Sequence, residues 1–123
     1  MKKVIVILLL TMPIFASECY KSLCKDDKVM DVFGWSGFVT SFDEAKDVVE
    51  VELAHGPGTY SFPYAELGKS VECFEKICVE DKVIDKYNEV DIVLEIYTHG
   101  KAHVYSPDRD GEFIMDTKTL IKY

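Results

Sequence analysis

Apolar and polar residues alternate through most of this chain, and the period is that of strands, not helices. The clearest stretch is Val48-Val49-Glu50-Val51-Glu52-Leu53, where Val49, Val51 and Leu53 share one face and Glu50 and Glu52 the other. Ahead of it, residues 27–33 form a first strand, closed by the glycines of Gly34-Trp35-Ser36-Gly37. Phe38 to Phe42 resumes as a second strand, followed by a polar turn over 43–47. Behind it, His55-Gly56-Pro57-Gly58 has turn chemistry, with two glycines free to take positive φ. Thr59 to Phe62 makes a fourth strand ended by Pro63, Tyr64 to Gly68 a single helical turn, and Lys69 to Cys73 a last short strand. The sum is five short strands and no helix of any length.

A second pass over the same plan follows. Glu18 to Asp31 reads ECYKSLCKDDKVMD and Glu72 to Asp85 reads ECFEKICVEDKVID, with seven of fourteen positions identical. A downstream match pairs Gly58 to Leu67 with Gly111 to Leu120, at an offset of 53 where the first match has 54. Two matches in the same order indicate a tandem duplication of a unit a little over fifty residues long. In the second copy Val83 to Tyr87 repeats the first strand, and Asn88-Glu89-Val90-Asp91 replaces the glycine-containing turn. Ile92, Leu94 and Ile96 are expected on one face of the next strand. His99-Gly100 turns into residues 101–105, residues 106–111 form a loop, and Phe113 to Met115 is a strand. The final strand is expected to be truncated.

The first sixteen residues stand outside this pattern. Met1-Lys2-Lys3 is a basic start, Val4 to Phe15 is almost unbroken apolar sequence, and Ala16 is a small residue suited to signal cleavage. The run is shorter than the roughly 20 residues a membrane span requires. It predicts a signal peptide over 1–16 and export from a bacterial cell, to the periplasm or the medium. Glu18 before Cys19 argues against a lipid anchor there. Without that segment, 12 basic residues face 22 acidic ones. A surface so acidic repels phosphate backbones and anionic lipid, so nucleic acid is not an expected partner. Units of about fifty residues bury little surface and need a staple or a partner lobe.

The cysteines supply the staple. Cys19 and Cys24 have the same spacing as Cys73 and Cys78, each pair at the start of a unit. Local bridges, Cys19–Cys24 and Cys73–Cys78, are preferred, because a bridge internal to a duplicated motif works at both sites. Loop entropy favours the rival pairing, Cys24–Cys73 with Cys19–Cys78, by about 2 kcal/mol. A four-cysteine zinc site is the third reading, disfavoured by export.

The order Asp-Lys-Val, Gly-x-x-Gly-x-Val, an alternating strand and Tyr-x-Phe-Pro resembles small SH3-like barrels of the KOW or Tudor type. The resemblance implies an all-β fold of two tandem, divergent SH3-like barrels, repeat 1 over 17–73 and a degenerate, truncated repeat 2 over 74–123. It also implies a binding module. Trp35, Tyr60 and Tyr64 are the candidate ligand contacts, at the loop end of the first unit, with Phe62 beside them.

Other chemistry is sparse. His99 and His103 are four apart, but Gly100 between them indicates a turn, and His55 lies elsewhere, so no metal site is expected. Asp108-Arg109-Asp110-Gly111-Glu112 begins like a calcium loop but lacks a ligand position and the distant Glu, and is taken as a polar turn. There is no nucleophile elbow, phosphate loop or cysteine–histidine signature. The expected function is therefore a non-enzymatic exported module, without cofactor, that binds a protein or an envelope component. The alternative is an inhibitor of a secreted enzyme such as a lysozyme. Its acidity suits a basic target, and Gly56 to Tyr60 faintly resembles the Ser-Gly-x-x-Tyr loop of periplasmic lysozyme inhibitors, without the serine. Protein recovered from the periplasm or medium should have an intact mass beginning at Ser17, and a mass that retains Met1 to Phe15 would refute cleaved export.

Overall fold

The computed structural model describes residues 18–123, so the predicted signal peptide lies outside the described residues. The described chain is all-β. The first unit contains β1 (Cys19–Tyr20), β2 (Leu23–Cys24), β3 (Lys28–Met30), β4 (Ser36–Asp43), β5 (Val48–Leu53) and β6 (Thr59–Pro63). A single 3-10 turn, Tyr64–Glu66, leads into β7 (Gly68–Val71). The second unit repeats every element: β8 (Cys73–Phe74), β9 (Ile77–Cys78), β10 (Lys82–Ile84), β11 (Val90–Tyr97), β12 (Lys101–Ser106) and β13 (Gly111–Asp116). A 3-10 turn, Thr117–Thr119, then leads into β14 (Ile121–Lys122). The last strand is present, with two residues where β7 has four.

Strand order is the same in both units. The first runs β7-β3-β4-β5-β6 and the second β14-β10-β11-β12-β13, with every pairing antiparallel. The units are also joined edge to edge, since β7 pairs with β11 through Val71 opposite Ile96 and Ser70 opposite Tyr97. Lys28 forms an ion pair with Glu95 across the join, and Thr98 N–H donates to the Lys69 carbonyl at 2.9 Å. His99 Nε2 lies 3.1 Å from the Asp31 carbonyl, which fixes it as the donor. Its ring fills the space over Gly68, where a Cβ would sit 2.3 Å from Nδ1. His99 is thus a structural bolt between the units.

Each unit has its own core, filled position for position. Leu23, Val29, Val39, Val49 and Val51 are buried in the first, with Phe42, Phe62, Tyr64 and Leu67 packed on them. Ile77, Val83, Val93, Ala102 and Val104 take the corresponding places in the second, with Ile96, Met115 and Leu120 completing it. Val49 and Val51 face inward as the alternation predicts, and Glu52 is exposed.

The long strand departs from simple alternation. Ile92, Leu94 and Ile96 do not share a buried face: Val93 and Ile96 are fully buried, whereas Leu94 is exposed. A bulge between Val93 and Glu95 inserts one residue and shifts the phase, so the inward positions are three apart instead of two. The first unit has the same bulge between Val39 and Ser41, and Val39 and Phe42 point inward. On its other edge the same strand is bonded to the turn before the first long-ladder strand. Val39 N–H donates to Asp27 and its carbonyl accepts from Asp26 N–H, at 2.9 and 2.8 Å. Val93 bonds to Asp81 and Glu80 with the same distances, 2.9 and 2.8 Å.

The cysteines pair locally, Cys19 with Cys24 and Cys73 with Cys78, and none is free. What sequence did not disclose is that each bridge crosses a miniature hairpin, β1–β2 and β8–β9, whose cysteines face each other in the ladder. Lys21 and Glu75 turn these hairpins with φ of 55° and 57°. Asp27 and Asp81 cap them, accepting from Cys24 N–H and Cys78 N–H at 2.8 and 2.9 Å. Two such bridges belong to an oxidising, non-cytoplasmic environment. Among the described residues no helix is long and apolar enough to cross a membrane. Trypsin should link the Cys19 peptide to the Cys24 peptide and the Cys73 peptide to the Cys78 peptide under non-reducing conditions. Reduction should lower unfolding free energy by about 2 kcal/mol per bridge in denaturant titrations; a cross-unit linked peptide would contradict the pairing.

Candidate functional site

The turn between β3 and β4 is built by one carboxylate. Asp31 is buried, and its Oδ1 accepts from Phe33 N–H at 3.0 Å and Trp35 N–H at 2.8 Å. Asp31 N–H donates to the Trp35 carbonyl at 2.9 Å, and Gly34 takes a φ of 96°. With its backbone groups satisfied this way, the turn projects its two aromatics outward. Phe33 is 82% exposed and Trp35 58%, unusual for large apolar side chains on a folded surface.

Those aromatics border a groove of about 400 Å³, lined by Asp31, Phe33, Trp35, Leu53, Tyr60 and Phe62. Strands β5 and β6 supply the floor, where Tyr60 lies opposite Val51 in the ladder. Of the candidate contacts read from sequence, Trp35 and Tyr60 meet here, with Phe62. Tyr64 does not line the groove. Its hydroxyl is 2.6 Å from Ser22 Oγ, and its ring lies edge-on to Tyr20 at 5.7 Å, which pins the first disulfide hairpin to the unit. Sequence reasoning passed over Asp31, Phe33 and Leu53 as site residues. The identity of Asp31 and Asp85 between the two copies was the signal for the first.

The second unit builds the same turn without glycine. Asp85 Oδ1 accepts from Tyr87 N–H at 2.8 Å and Glu89 N–H at 3.0 Å, and Asn88 takes the left-handed conformation with φ of 65°. Asparagine tolerates that region better than other residues with a side chain, so replacing Gly34 leaves the turn intact. Here the loop after β12 brings in Arg109. Its guanidinium contacts Asp85 Oδ2 at 2.9 Å and Glu89 Oε1 at 2.7 Å, and lies 4.1 Å from the Phe113 ring centre and 5.2 Å from that of Tyr87. Within the stretch 108–112, residues 108–110 form a turn, as expected, and Gly111 and Glu112 begin β13; the turn delivers an ion-pair partner to the buried Asp85.

Asp91 lies beneath this cluster, fully buried, and neither carboxyl oxygen accepts a well-aligned hydrogen bond. Burial first, and then the carboxylate of Asp85, push its pKa from 3.8 up to about 6. Burial also works against the Asp85 charge, but the adjoining Asp91 carboxyl, two backbone N–H donors and Arg109 outweigh it and hold its pKa below the usual value. Below about pH 6 the proton of this pair therefore sits on Asp91.

Among the described residues no three His, Cys, Asp or Glu side chains gather as a metal site. His103 lies between Glu95 and Glu112 at 3.4 and 2.8 Å, apart from His99. The chain matches no protein-family model and no curated protein sequence.

The carboxyl pair sets a pH optimum. Asp91 holds its proton more tightly folded than unfolded, so stability falls as pH rises from about 4 through 6. Asp85 has the opposite sign, and its contribution is lost as pH falls below the usual carboxylate value of 3.8. The contribution of this pair to unfolding free energy should peak near the usual carboxylate value of 3.8 and decline as pH rises through 6. Asp91→Asn should flatten the alkaline side and stabilise the protein at pH 8 by on the order of 2 kcal/mol. Arg109→Ala should cost about 3 kcal/mol at pH 7, because it strands buried carboxylates. Chemical denaturation across pH checks both, and an unchanged profile in Asp91→Asn would refute the proton on Asp91.

Proposed function

We propose that this protein is an exported, non-enzymatic binding module made of two small SH3-like units, and that it meets a protein or envelope partner through the aromatic groove of the first. The observation that carries the proposal is the exposure of Phe33, Trp35 and Tyr60 around one concave surface. Clustered exposed aromatics on a rigid frame are the composition of recognition sites, since they bring large contact area at little entropic cost. The frame here is held for identifiable reasons: the Asp31 turn and the five-stranded ladder beneath it. The order of strands within each unit, with the last strand beside the first, supports the SH3-like reading. Two disulfides and the basic-then-apolar start of the sequence support export.

An inhibitor of a secreted basic enzyme, such as a lysozyme, would use the same edge, because the loop over 54–58 is exposed next to the groove. The two forms of the proposal separate in one set of assays. Immobilised wild type and Trp35→Ala are exposed to envelope extract, the retained partner is purified and titrated, and lysozyme inhibition is measured alongside. The partner should bind wild type at least about tenfold more tightly than Trp35→Ala. The variant should keep its fold, since Trp35 is more than half exposed. Equal binding by both, or unfolding of the variant, would overturn the groove as the recognition surface.

A further inference from the structure

The duplication allows the two units to be compared residue by residue at the groove. The ladders set the correspondence. Gly37 lies opposite Leu53 in the first unit, and continuing the register in which Ile92 lies opposite Tyr105 puts Asp91 opposite Ser106. Val51 lies opposite Tyr60 as Val104 lies opposite Phe113. The groove residues Asp31, Phe33, Trp35, Leu53 and Tyr60 therefore correspond to Asp85, Tyr87, Glu89, Ser106 and Phe113. Each of those five is in contact with Arg109. The guanidinium takes Asp85 and Glu89 as ion-pair partners, has Tyr87 and Phe113 beside it, and reaches Ser106 Oγ from Nε at 3.4 Å. The second unit thus fills with its own arginine the place that is an open groove in the first.

The first groove keeps the features a guanidinium uses. Asp31 Oδ1 is taken by the turn, as Asp85 Oδ1 is. Oδ2, the counterpart of the atom held by Arg109, has no cation on it among the described residues. A carboxylate only 2% exposed and without a counter-ion offers an oxygen that a bound cation can pair with. Around it stand Phe33, Trp35 and Tyr60, three aromatic rings where the second unit has two and a Glu. Aromatic faces attract cations, tryptophan most strongly, and a planar, weakly hydrated guanidinium stacks on them better than an ammonium. The loop over 54–58 contains no arginine, and Arg109 is the sole arginine in the sequence. No second arginine of this sequence is available to fill the groove.

We infer that the groove of the first unit is an arginine receptor, taking the side chain of an exposed arginine on a partner protein between Trp35, Phe33 and Tyr60 with its guanidinium on Asp31. The inference rests on the binding-module reading above and assigns the chemistry of its ligand. Net charge fits, since an acidic surface draws a basic segment towards it.

Trp35 is the only tryptophan in the chain, so its fluorescence reports the groove directly. The probes are the blocked tripeptide acetyl-Gly-Arg-Gly-amide and its citrulline counterpart, which has nearly the same shape and no charge. The arginine peptide should change Trp35 emission saturably, with a dissociation constant on the order of 1–10 mM for one side chain. The citrulline peptide should bind at least about tenfold more weakly. Asp31→Asn keeps an oxygen acceptor for the turn while removing the charge, and should reduce arginine affinity to the citrulline level. Equal responses to the two peptides, or no response to either, overturn the assignment on wild-type protein alone, whatever the variant does. A partner that binds through Trp35 but is not displaced by the arginine peptide also overturns it, while leaving the binding-module reading in place.

Discussion

A carboxylate with little contact with water must be supplied with donors, and in this protein that requirement organises each unit. Asp31 and Asp85 meet half of it locally, through two backbone N–H groups of the turn that follows. The turn so formed joins the first ladder strand to the longest one and sets where the aromatics at its tip point. The second half is a positive charge for the remaining oxygen. The second unit finds one in Arg109, and in the first no cation sits on that oxygen among the described residues. The same interaction that closes the loop therefore also gives the groove its chemistry.

Duplication explains why such a small chain can combine stability with an open site. Each unit buries a core of only a handful of Val, Leu and Ile side chains, too little to be comfortable alone. The units compensate with a disulfide hairpin each and with the shared edge between β7 and β11. The copy with the filled groove has the larger buried cluster, and its ion-pair network is internal. The other copy keeps an exposed aromatic surface, next to a neighbour that bolts the back of its turn through His99 and the Asp31 carbonyl.

The bulge shows how closely the copies agree where backbone geometry is at stake. Val39 and Val93 make the same two bonds to the preceding turn, although the residues inserted there, Thr40 and Leu94, have nothing in common. Side chains diverged while the hydrogen-bond plan persisted, because an unpaired backbone group is costlier than a changed surface residue. The replacement of Gly34 by Asn88 follows the same rule: the left-handed conformation was kept, and only a residue able to adopt it took the place.

Much of this protein was determined by the sequence alone. Strand period marked out the ladder in both copies, the repeat of Glu18 to Asp31 at Glu72 to Asp85 marked the units, and a bridge internal to the repeated motif gave the cysteine pairing. These are local properties, written in spacing over a few residues. Tertiary structure decided the rest. A bulge is a matter of two strands and cannot be seen in one, so Ile92, Leu94 and Ile96 were assigned a common face that the extra residue breaks. Tyr64 follows Tyr60 closely in sequence, yet the 3-10 turn carries it to the hairpin side, away from Trp35. Arg109 reads as part of a polar turn, because its partners Asp85 and Glu89 lie twenty or more residues away along the chain. Sites depend on what distant segments bring together, and only the folded ladder places a charge, an oxygen and a set of rings around one point.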